Sequence, residues 1–542
     1  MQAISELGQR GLGWQPGQGD IEVGLPAIQA ALLRLDEPFC VVESDRGLGV
    51  LRDAQLSLGG GGSPVGAYVP SLPPQRLGDP QFCKAHGVDL AYVAGAMANG
   101  ICSVEIVEAM AKARMLAFFG AAGLPLARVE AAIDRLQKNL GELPFGSNLI
   151  HSPNEPDLEA GVVDLYLRKG VRRVSASAYL GLTAPLVRYR VSGIHRDAQG
   201  NIVVPNKVIA KVSRIEVASR FFAPPPEKLL RQLVESGQIT ADEAKLAESI
   251  PMAEDLTAEA DSGGHTDNRP ALALVPTMIA LRDEMEKTYG FQNLRVGAAG
   301  GVATPVSACA AFTMGAAYVL TGSINQACVE SGSSDLVREM LAKAKQADVA
   351  MAPAADMFEM GVQVQVLKYG TMFPVRAKKL YELYRNYGSL DELPEKERTT
   401  LERDYFRGSL EQEWANTRKF FEERDPRQNE RAERDAKHKM ALVFRSYLGR
   451  SSGWANAGLA DRKVDYQIWC GPAMGAFNQW VKGTFLEGTE HRKVVTLAKN
   501  LMVGCAVLTR VNWLRQQGVA LPAEFSNFAP LEEEQLNQLL KR

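Results

Sequence analysis

Two side chains in this 542-residue chain stand where protons and charge could be handled. One is Lys211, in Ala210-Lys211-Val212-Ser213, and the other is His265, in Asp261-Ser262-Gly263-Gly264-His265-Thr266-Asp267-Asn268. An imidazole with an unperturbed pKa of roughly 6.5 can give or take a proton near neutrality. A lysine closing an apolar run sets a cation against a ligand, where its ordinary alternative is a snorkelling surface side chain. Glycine pairs supply a different chemistry. Gly300 and Gly301, in Ala298-Ala299-Gly300-Gly301-Val302, and Gly322, in Thr321-Gly322-Ser323, let backbone N–H groups approach an anion closely, with Thr321 and Ser323 as hydroxyl donors. Paired glycines also make plain tight turns, and a lone histidine in a polar loop is often a surface residue. Asn148 offers an amide that both donates and accepts. Gly95-Ala96-Met97-Ala98-Asn99-Gly100 is small enough to admit a flat ligand. Histidines 86, 151, 195, 438 and 491 fall in loops or polar helices without partner patterns, and seven scattered cysteines show no metal spacing, so no metal is expected.

These residues share a position: each closes a short apolar run. The runs are Leu90–Met97, Met115–Phe119, Phe145–Ile150, Arg173–Tyr179, Lys207–Val212, Asp255–Ala260, Leu294–Ala299 and Ala317–Gly322. Amphipathic helices are expected between them at Ser103–Ala113, Ala127–Leu140, Asp157–Lys169, Ile215–Phe222, Val275–Tyr289 and Pro305–Met314. Alternation of this kind predicts parallel α/β structure, and the count of strands predicts a (β/α)8 TIM barrel. Catalytic groups of such barrels sit at the C-terminal strand ends, and phosphate commonly binds after strands seven and eight. A polar hairpin within residues 188–205 and a charged helical excursion over 224–248 interrupt the pattern. Residues 1–85 read as an N-terminal β-containing appendage, with a helix near Leu25–Leu35, a hairpin from Phe39–Val42 and Gly47–Leu51, and a linker at Gly59–Gly62. Residues 86–372 are assigned to the barrel. Residues 373–542 read as a C-terminal α-helical domain over its mouth, with helices at Arg376–Arg385, Leu390–Arg407, Ser409–Arg424 and Asn429–Leu448.

Composition narrows the partners. Lys and Arg number 61 against 63 Asp and Glu, a net charge of -2 that gives no reason to expect nucleic acid. The mixed-sign run from Lys419 to Lys439 reads as a solvated helix face. Val296–Val329 carries no charge and is long enough to span a bilayer, but glycines and a proline break it, so a buried strand–helix–strand unit is expected instead. Met1–Asp20 lacks the pattern of a signal peptide, and an odd, sparse set of cysteines fits reduced thiols. The expectation is a soluble, cytoplasmic protein with no membrane association.

The segments EADSGGHTDN, PFGSNLI, AAGGV and GAAYVLTGS together resemble the FMN-dependent nitronate monooxygenase and enoyl reductase barrel superfamily. More narrowly, GVDLAYVAGAMANGICSVEIVEAM, SASAYLGLTAPLVRYR and MAPAADMFEMGVQVQVLKYGTMFPVRAKKLYELYR resemble the PfaD family, the trans-acting enoyl reductases of polyunsaturated fatty acid and polyketide synthases. The likeness runs from about Pro38 to Glu524. It implies a flavin barrel that reduces the 2,3 double bond of an enoyl thioester on an acyl carrier protein, hydride passing from NADPH through FMN. By resemblance Ala96 and Met97 lie beside the isoalloxazine, and Asn148 and Lys211 bond to the flavin. Ala299, Gly300, Gly301, Gly322 and Ser323 form the phosphate end, Gly264 also binds the cofactor, and His265 stands beside the substrate. The implied roles are His265 as proton donor and Lys211 as stabiliser of the reduced flavin. The superfamily's Glu-Ala-Gly-Gly-His reads here Glu259-Ala260-Asp261-Ser262-Gly263-Gly264-His265. That insertion separates this loop from the form associated with nitronates or carrier-free substrates. Arg188, Arg190, Lys378, Lys379 and Arg385 are candidates for meeting an acidic carrier, and a homodimer is expected. Alternatives are a nitronate-type flavin oxidase and a non-catalytic docking subunit. An inosine monophosphate dehydrogenase type is weaker, because Cys328 follows strand eight instead of lying in the loop where a nucleophile is needed.

Overall fold

The computed structural model describes residues 12–15, 20–52, 55–58, 63–151 and 156–540. Eight parallel strands close into a barrel: β1 Tyr92–Ala94, β2 Leu116–Phe119, β3 Gly146–Ile150, β4 Arg173–Ser177, β5 Lys207–Val212, β6 Asp255–Glu259, β7 Arg295–Ala299 and β8 Val319–Thr321. They neighbour one another in chain order, and β8 pairs with β1 through Val319 opposite Tyr92. Strands buried on both faces need apolar residues throughout, which is why these segments read as continuous runs. Val93, Leu116, Phe118, Ile209, Tyr318 and Leu320 form one buried cluster inside the barrel. Gly297 leaves room for the Tyr318 ring, since a Cβ there would lie 2.3 Å from it. The uncharged segment expected to be strand–helix–strand is β7, helix Pro305–Thr313 and β8.

Polar groups seal the opposite end. Helix Pro80–His86 stacks Phe82 on Tyr318 at 4.3 Å and points His86 at Asp255, the first residue of β6. Arg295, the first residue of β7, donates to the same carboxylate from Nε at 2.6 Å and from Nη2 at 2.9 Å. Asp255, Arg295 and His86 are all buried. Bidentate geometry makes such a pair strong, and burial makes it intolerant of losing one partner.

A second core lies beyond the barrel mouth. Strands Val349–Pro353 and Gln363–Leu367 pair with each other, and the second also pairs with Gly264–His265. Their inward residues Ala352, Val364 and Val366 pack with Phe373, Leu380, Phe444 and Tyr447. Sequence periodicity missed these two strands, as well as helix Ala184–Val191. Other boundaries also differ. The helix expected from Val275 begins at Ala271 and carries Pro276 inside it. The segment expected as one helix over Leu390–Arg407 begins only at Glu395, as an α-helix over Glu395–Thr400 that continues as a π-helix over Leu401–Phe406. The expected helix Asn429–Leu448 breaks at Asp435, whose carboxylate caps the next helix by accepting from His438 N at 3.0 Å.

Helix α1, Leu25–Leu33, and the hairpin of Phe39–Ser44 with Gly47–Leu51 occur as expected, while the Gly59–Gly62 run lies outside the described residues. Two roof helices are α2, Leu410–Arg424, and α3, Ala436–Ala457. Helix α4, Val494–Gln516, is long and apolar enough to cross a membrane, but most of it is buried inside the fold. Its Arg510 reaches α1, donating to the carbonyls of Leu32 at 3.1 Å, Arg34 at 2.7 Å and Glu37 at 2.7 Å.

Asp255→Ala, which leaves Arg295 buried without a counter-charge, is expected to cost about 3–5 kcal/mol, read as a lower denaturant midpoint. The double variant Asp255→Ala/Arg295→Met should recover part of that loss. Equal midpoints for wild type and Asp255→Ala would remove the triad's role in closing the barrel.

Candidate active site

The C-terminal strand ends open into a cavity of about 1600 Å3. Every candidate site residue from the sequence lines it: Ala96, Met97, Asn148, Lys211, Gly264, His265, Ala299, Gly300, Gly301, Gly322 and Ser323. The roof comes from α2, α3, the 355–364 loop, Trp469 and Gly471.

The loops after β7 and β8 form an anion cradle. Gly300 and Gly301 both take φ of 80°, a left-handed backbone that disfavours other residues. A Cβ on Gly301 or Gly322 would meet no atom within 4 Å, so both face open cavity. Among the described residues no protein acceptor takes the N–H groups of Gly300, Gly301, Gly322 or Ser323. Ser323 Oγ accepts from Gly471 N at 3.1 Å and keeps its own hydrogen to donate. The cradle therefore fits a phosphate group. Thr321 does not contribute as expected: its hydroxyl is buried between Tyr92 OH at 2.5 Å and Asn325 Nδ2 at 2.9 Å.

On the facing strands Asn148 donates to Ser175 O at 3.0 Å, which leaves its Oδ1 as an acceptor. Lys211 is not the free cation that its position suggested. Its Nζ donates to Glu259 Oε1 at 2.6 Å, and Glu259 also accepts from Ser262 Oγ at 2.9 Å. Glu259 lies inside the recognised motif, yet its pairing across two strands has no sequence signal.

His265 sits where the loop after β6 adds a short strand to the lid sheet, opposite Val364. Its Nε2 lies 3.2 Å from Asp356 Oδ1, and about a third of the side chain remains exposed on the cavity wall. Burial works against the imidazolium, but the hydrogen bond and charge of Asp356 outweigh it, so the His265 pKa is raised from its ordinary value. The donating form is thus held to higher pH and is lost as pH climbs through that raised value. Asp356 went unnoticed in the sequence because it follows a lid strand that also went unnoticed. Helix α3 fixes this loop through Arg445, which donates to Ala355 O at 2.8 Å and pairs with Glu359 at 3.3 Å.

The two inserted residues form the seam between floor and roof. Gln365 Nε2 donates to Asp261 Oδ1 at 2.7 Å and to Ser262 O at 2.8 Å. A Cβ on Gly263 would lie 2.8 Å from Cys470 N, and one on Gly471 would lie 2.8 Å from Gly263 N. Only glycine allows this approach. On the other wall Asn99, at φ 57°, donates to Ser452 Oγ of α3 at 2.6 Å.

Several sequence expectations fail here. Arg190 cannot meet a carrier: it is fully buried, bonded to Pro251 O, Asn206 O and Glu254. Arg188 pairs with Asp164, and Lys379 pairs with Glu397 at 2.7 Å, whereas Lys378 and Arg385 are exposed. All five histidines described as lacking partner patterns have partners, His195 bonding Gly193 O at 2.9 Å and His491 lying 3.6 Å from Glu490. His86 holds Asp255, His151 bonds Glu159 at 3.0 Å, and buried His438 bonds Gln428 at 3.0 Å.

Asp356→Asn removes the charge that holds the His265 proton. Its pKa should fall in a nuclear magnetic resonance titration. An unchanged titration would show that the contact has no electrostatic role.

The nitronate monooxygenase family profile matches residues 84–378. A second profile, the inserted helical domain of [acyl-carrier-protein] S-malonyltransferase, matches residues 387–466, which include α2 and α3. One polyunsaturated fatty acid synthase polypeptide of Thraustochytrium sp. (strain ATCC 26185 / S-3) is 48% identical over 447 residues, 81% of this chain and 30% of that protein. Polyketide biosynthesis protein PksE of Bacillus subtilis (strain 168) is 48% identical over 436 residues, 80% of this chain and 56% of that protein. The chain thus spans less than two thirds of these relatives. Among solved structures, the enoyl reductase domain of MlnA, from the macrolactin cluster of Bacillus amyloliquefaciens, superposes with a TM-score of 0.77 at 41% identity, covering 82% of this chain and 99% of that one. With more than half its length matched by that first profile, the chain belongs to the nitronate monooxygenase family, and its relatives include a polyunsaturated fatty acid synthase polypeptide and a polyketide biosynthesis protein.

Proposed function

We propose that the chain is a trans-acting enoyl reductase of polyunsaturated fatty acid or polyketide synthesis. It reduces the 2,3 double bond of an enoyl thioester carried on an acyl carrier protein, with FMN as resident cofactor and NADPH as reductant. One observation carries this reading: a phosphate cradle and a carboxylate-held imidazole face the same cavity, beneath a roof matched by a carrier-protein transferase insert. The resemblance to an enoyl reductase domain over 99% of that domain's length supports it.

Residues of this chain would hold FMN at both ends. The N–H groups of Gly300, Gly301, Gly322 and Ser323, with the Ser323 hydroxyl, suit its phosphate. Ala96 and Met97 leave space for a flat ring, with Asn148 Oδ1 and the Lys211–Glu259 pair at its polar edge. Bound there, FMN supplies the two-electron hydride chemistry between nicotinamide and substrate. The protein's own contribution is to the proton. Saturating the double bond needs one proton at the α-carbon and a donor for the charge that develops on the thioester oxygen. His265, whose protonated form Asp356 favours, can serve either need from the cavity wall. The lid sheet and the Gly263–Cys470 seam stand above it.

Under anaerobic conditions NADPH should bleach the yellow protein, and an enoyl thioester should restore its colour. A protein reduced by a nitronate and reoxidised only by oxygen would belong to the oxidase reading instead, and one that binds no flavin would belong to the docking reading. His265→Ala should slow the thioester-dependent step about 10²–10⁴-fold while leaving NADPH bleaching intact. Full single-turnover reduction by that variant would refute the proton-donor role. In wild type the rate of this step should decline as pH rises through the raised His265 pKa, and in Asp356→Asn the decline should start at lower pH.

A further inference from the structure

The cavity is larger than its cradle end needs. Small-molecule pockets usually hold about 300–1,000 Å3, whereas this one holds about 1600 Å3. The surplus runs from the strand ends between α2 and α3. One wall carries Glu413, Asn416, Thr417 and Phe420, and the other carries Ser446, Gly449, Gly453 and Asn456. Spacings of three and four residues put the α3 set on one helix face. From Ser446 to Ala457 that face covers roughly 16 Å of helix axis, at 1.5 Å per residue.

Gly449 and Gly453 lack an ordinary structural reason. Both lie inside a helix, where glycine is unfavourable. Neither takes a left-handed φ, and a Cβ on either would meet no atom within 4 Å. No close crossing or special backbone demands them. What they do is keep side chains out of the passage. Its walls are also not those of a bare hydrocarbon slot. Glu413 is almost fully buried there, bonded by Ser446 Oγ at 2.6 Å and paired with Arg450, beside the amides of Asn416 and Asn456. Polar walls of this kind suit a ligand bearing amides and hydroxyls along its length. The passage is continuous with the His265 site, and it runs through the segment matched by the inserted domain of a carrier-protein transferase.

We propose that the passage between α2 and α3 seats the pantetheine arm of the carrier-bound thioester, with Gly449 and Gly453 holding it open. This rests on the carrier-dependent reading above and names the part of the site that recognises the carrier's prosthetic arm. The glycines thus discriminate between arm-bearing and arm-less substrates while the proton chemistry stays with His265.

The experiment compares wild type with Gly453→Leu and Gly449→Leu/Gly453→Leu on two enoyl thioesters, one on holo acyl carrier protein and one on N-acetylcysteamine, which lacks most of the arm. Calorimetric titration with pantetheine alone provides a readout independent of turnover. The expected result is a fall in kcat/KM of about tenfold or more on the carrier substrate only, with weakened pantetheine binding. Equal losses on both thioesters, or undiminished use of the carrier substrate and undiminished pantetheine binding, would overturn the proposal. Gly449→Ala/Gly453→Ala controls for folding. It should raise the Tm, and a lowered Tm would mean that the glycines serve packing and would also overturn the proposal. Failure of wild type to reduce either thioester would count against the enoyl reductase reading, and pantetheine binding by wild type and its loss in the leucine variants would still decide the arm site.

Discussion

The upper half of this molecule depends on an approach of two backbones that leaves no room for a side chain. Gly263 and Gly471 meet where the loop after β6 passes the segment following Trp469, with Cβ positions within 3 Å of the opposing main chain. Four parts join there. The β6 loop brings His265, Gln365 brings the lid sheet, Gly471 brings the C-terminal helices, and Ser323, bonded to Gly471 N, brings the anion cradle. Cradle and imidazole therefore keep a fixed relation although they come from different strands. Catalytic geometry of this kind tolerates errors well below an ångström, and a glycine seam is stiffer than any contact made through flexible side chains.

Legibility in the sequence followed distance along the chain. The barrel strands were readable because each is a local apolar run, buried on both faces, and Gly300-Gly301, Gly322 and His265 were readable because their meaning depends on the strand end beside them. Gln363–Leu367 alternates polar and apolar residues and could have been read as a strand, but not as the partner of Gly264–His265 about a hundred residues earlier. The same gap hid Asp356 from His265 and Asp255 from His86. Arg190 shows the converse error. A cationic residue on a helix resembles surface, yet its partners Glu254 and Pro251 wait some sixty residues ahead. The charged helices after residue 373 showed their solvent faces plainly, whereas the cavity face of α3 differs only by glycines and small polar residues.

Two cores meet across the cavity, one of barrel and one of lid strands with helices. The barrel side carries the cradle and the strand-end amide, and the other side carries Asp356 and the walls of α2 and α3. The proposed cofactor chemistry can thus stay on one core while the proposed selection among substrates lies with the other. The inserted pair Asp261-Ser262 provides the join, being the part of the β6 loop that Gln365 grips.

Arg510 imposes an order on how the chain can be completed. The carbonyls of Leu32, Arg34 and Glu37 end their region with acceptors that a guanidinium 473 to 478 residues downstream satisfies, its plane lying over the Phe39 ring at 5.0 Å. During translation the guanidinium that binds those carbonyls arrives only with α4, although the Arg34 carbonyl also accepts from Glu37 N at 3.2 Å. Loop closure across such a span is slow compared with assembly of neighbouring strands. Residues around α1 are therefore made some 470 residues before the side chain that completes their hydrogen bonding.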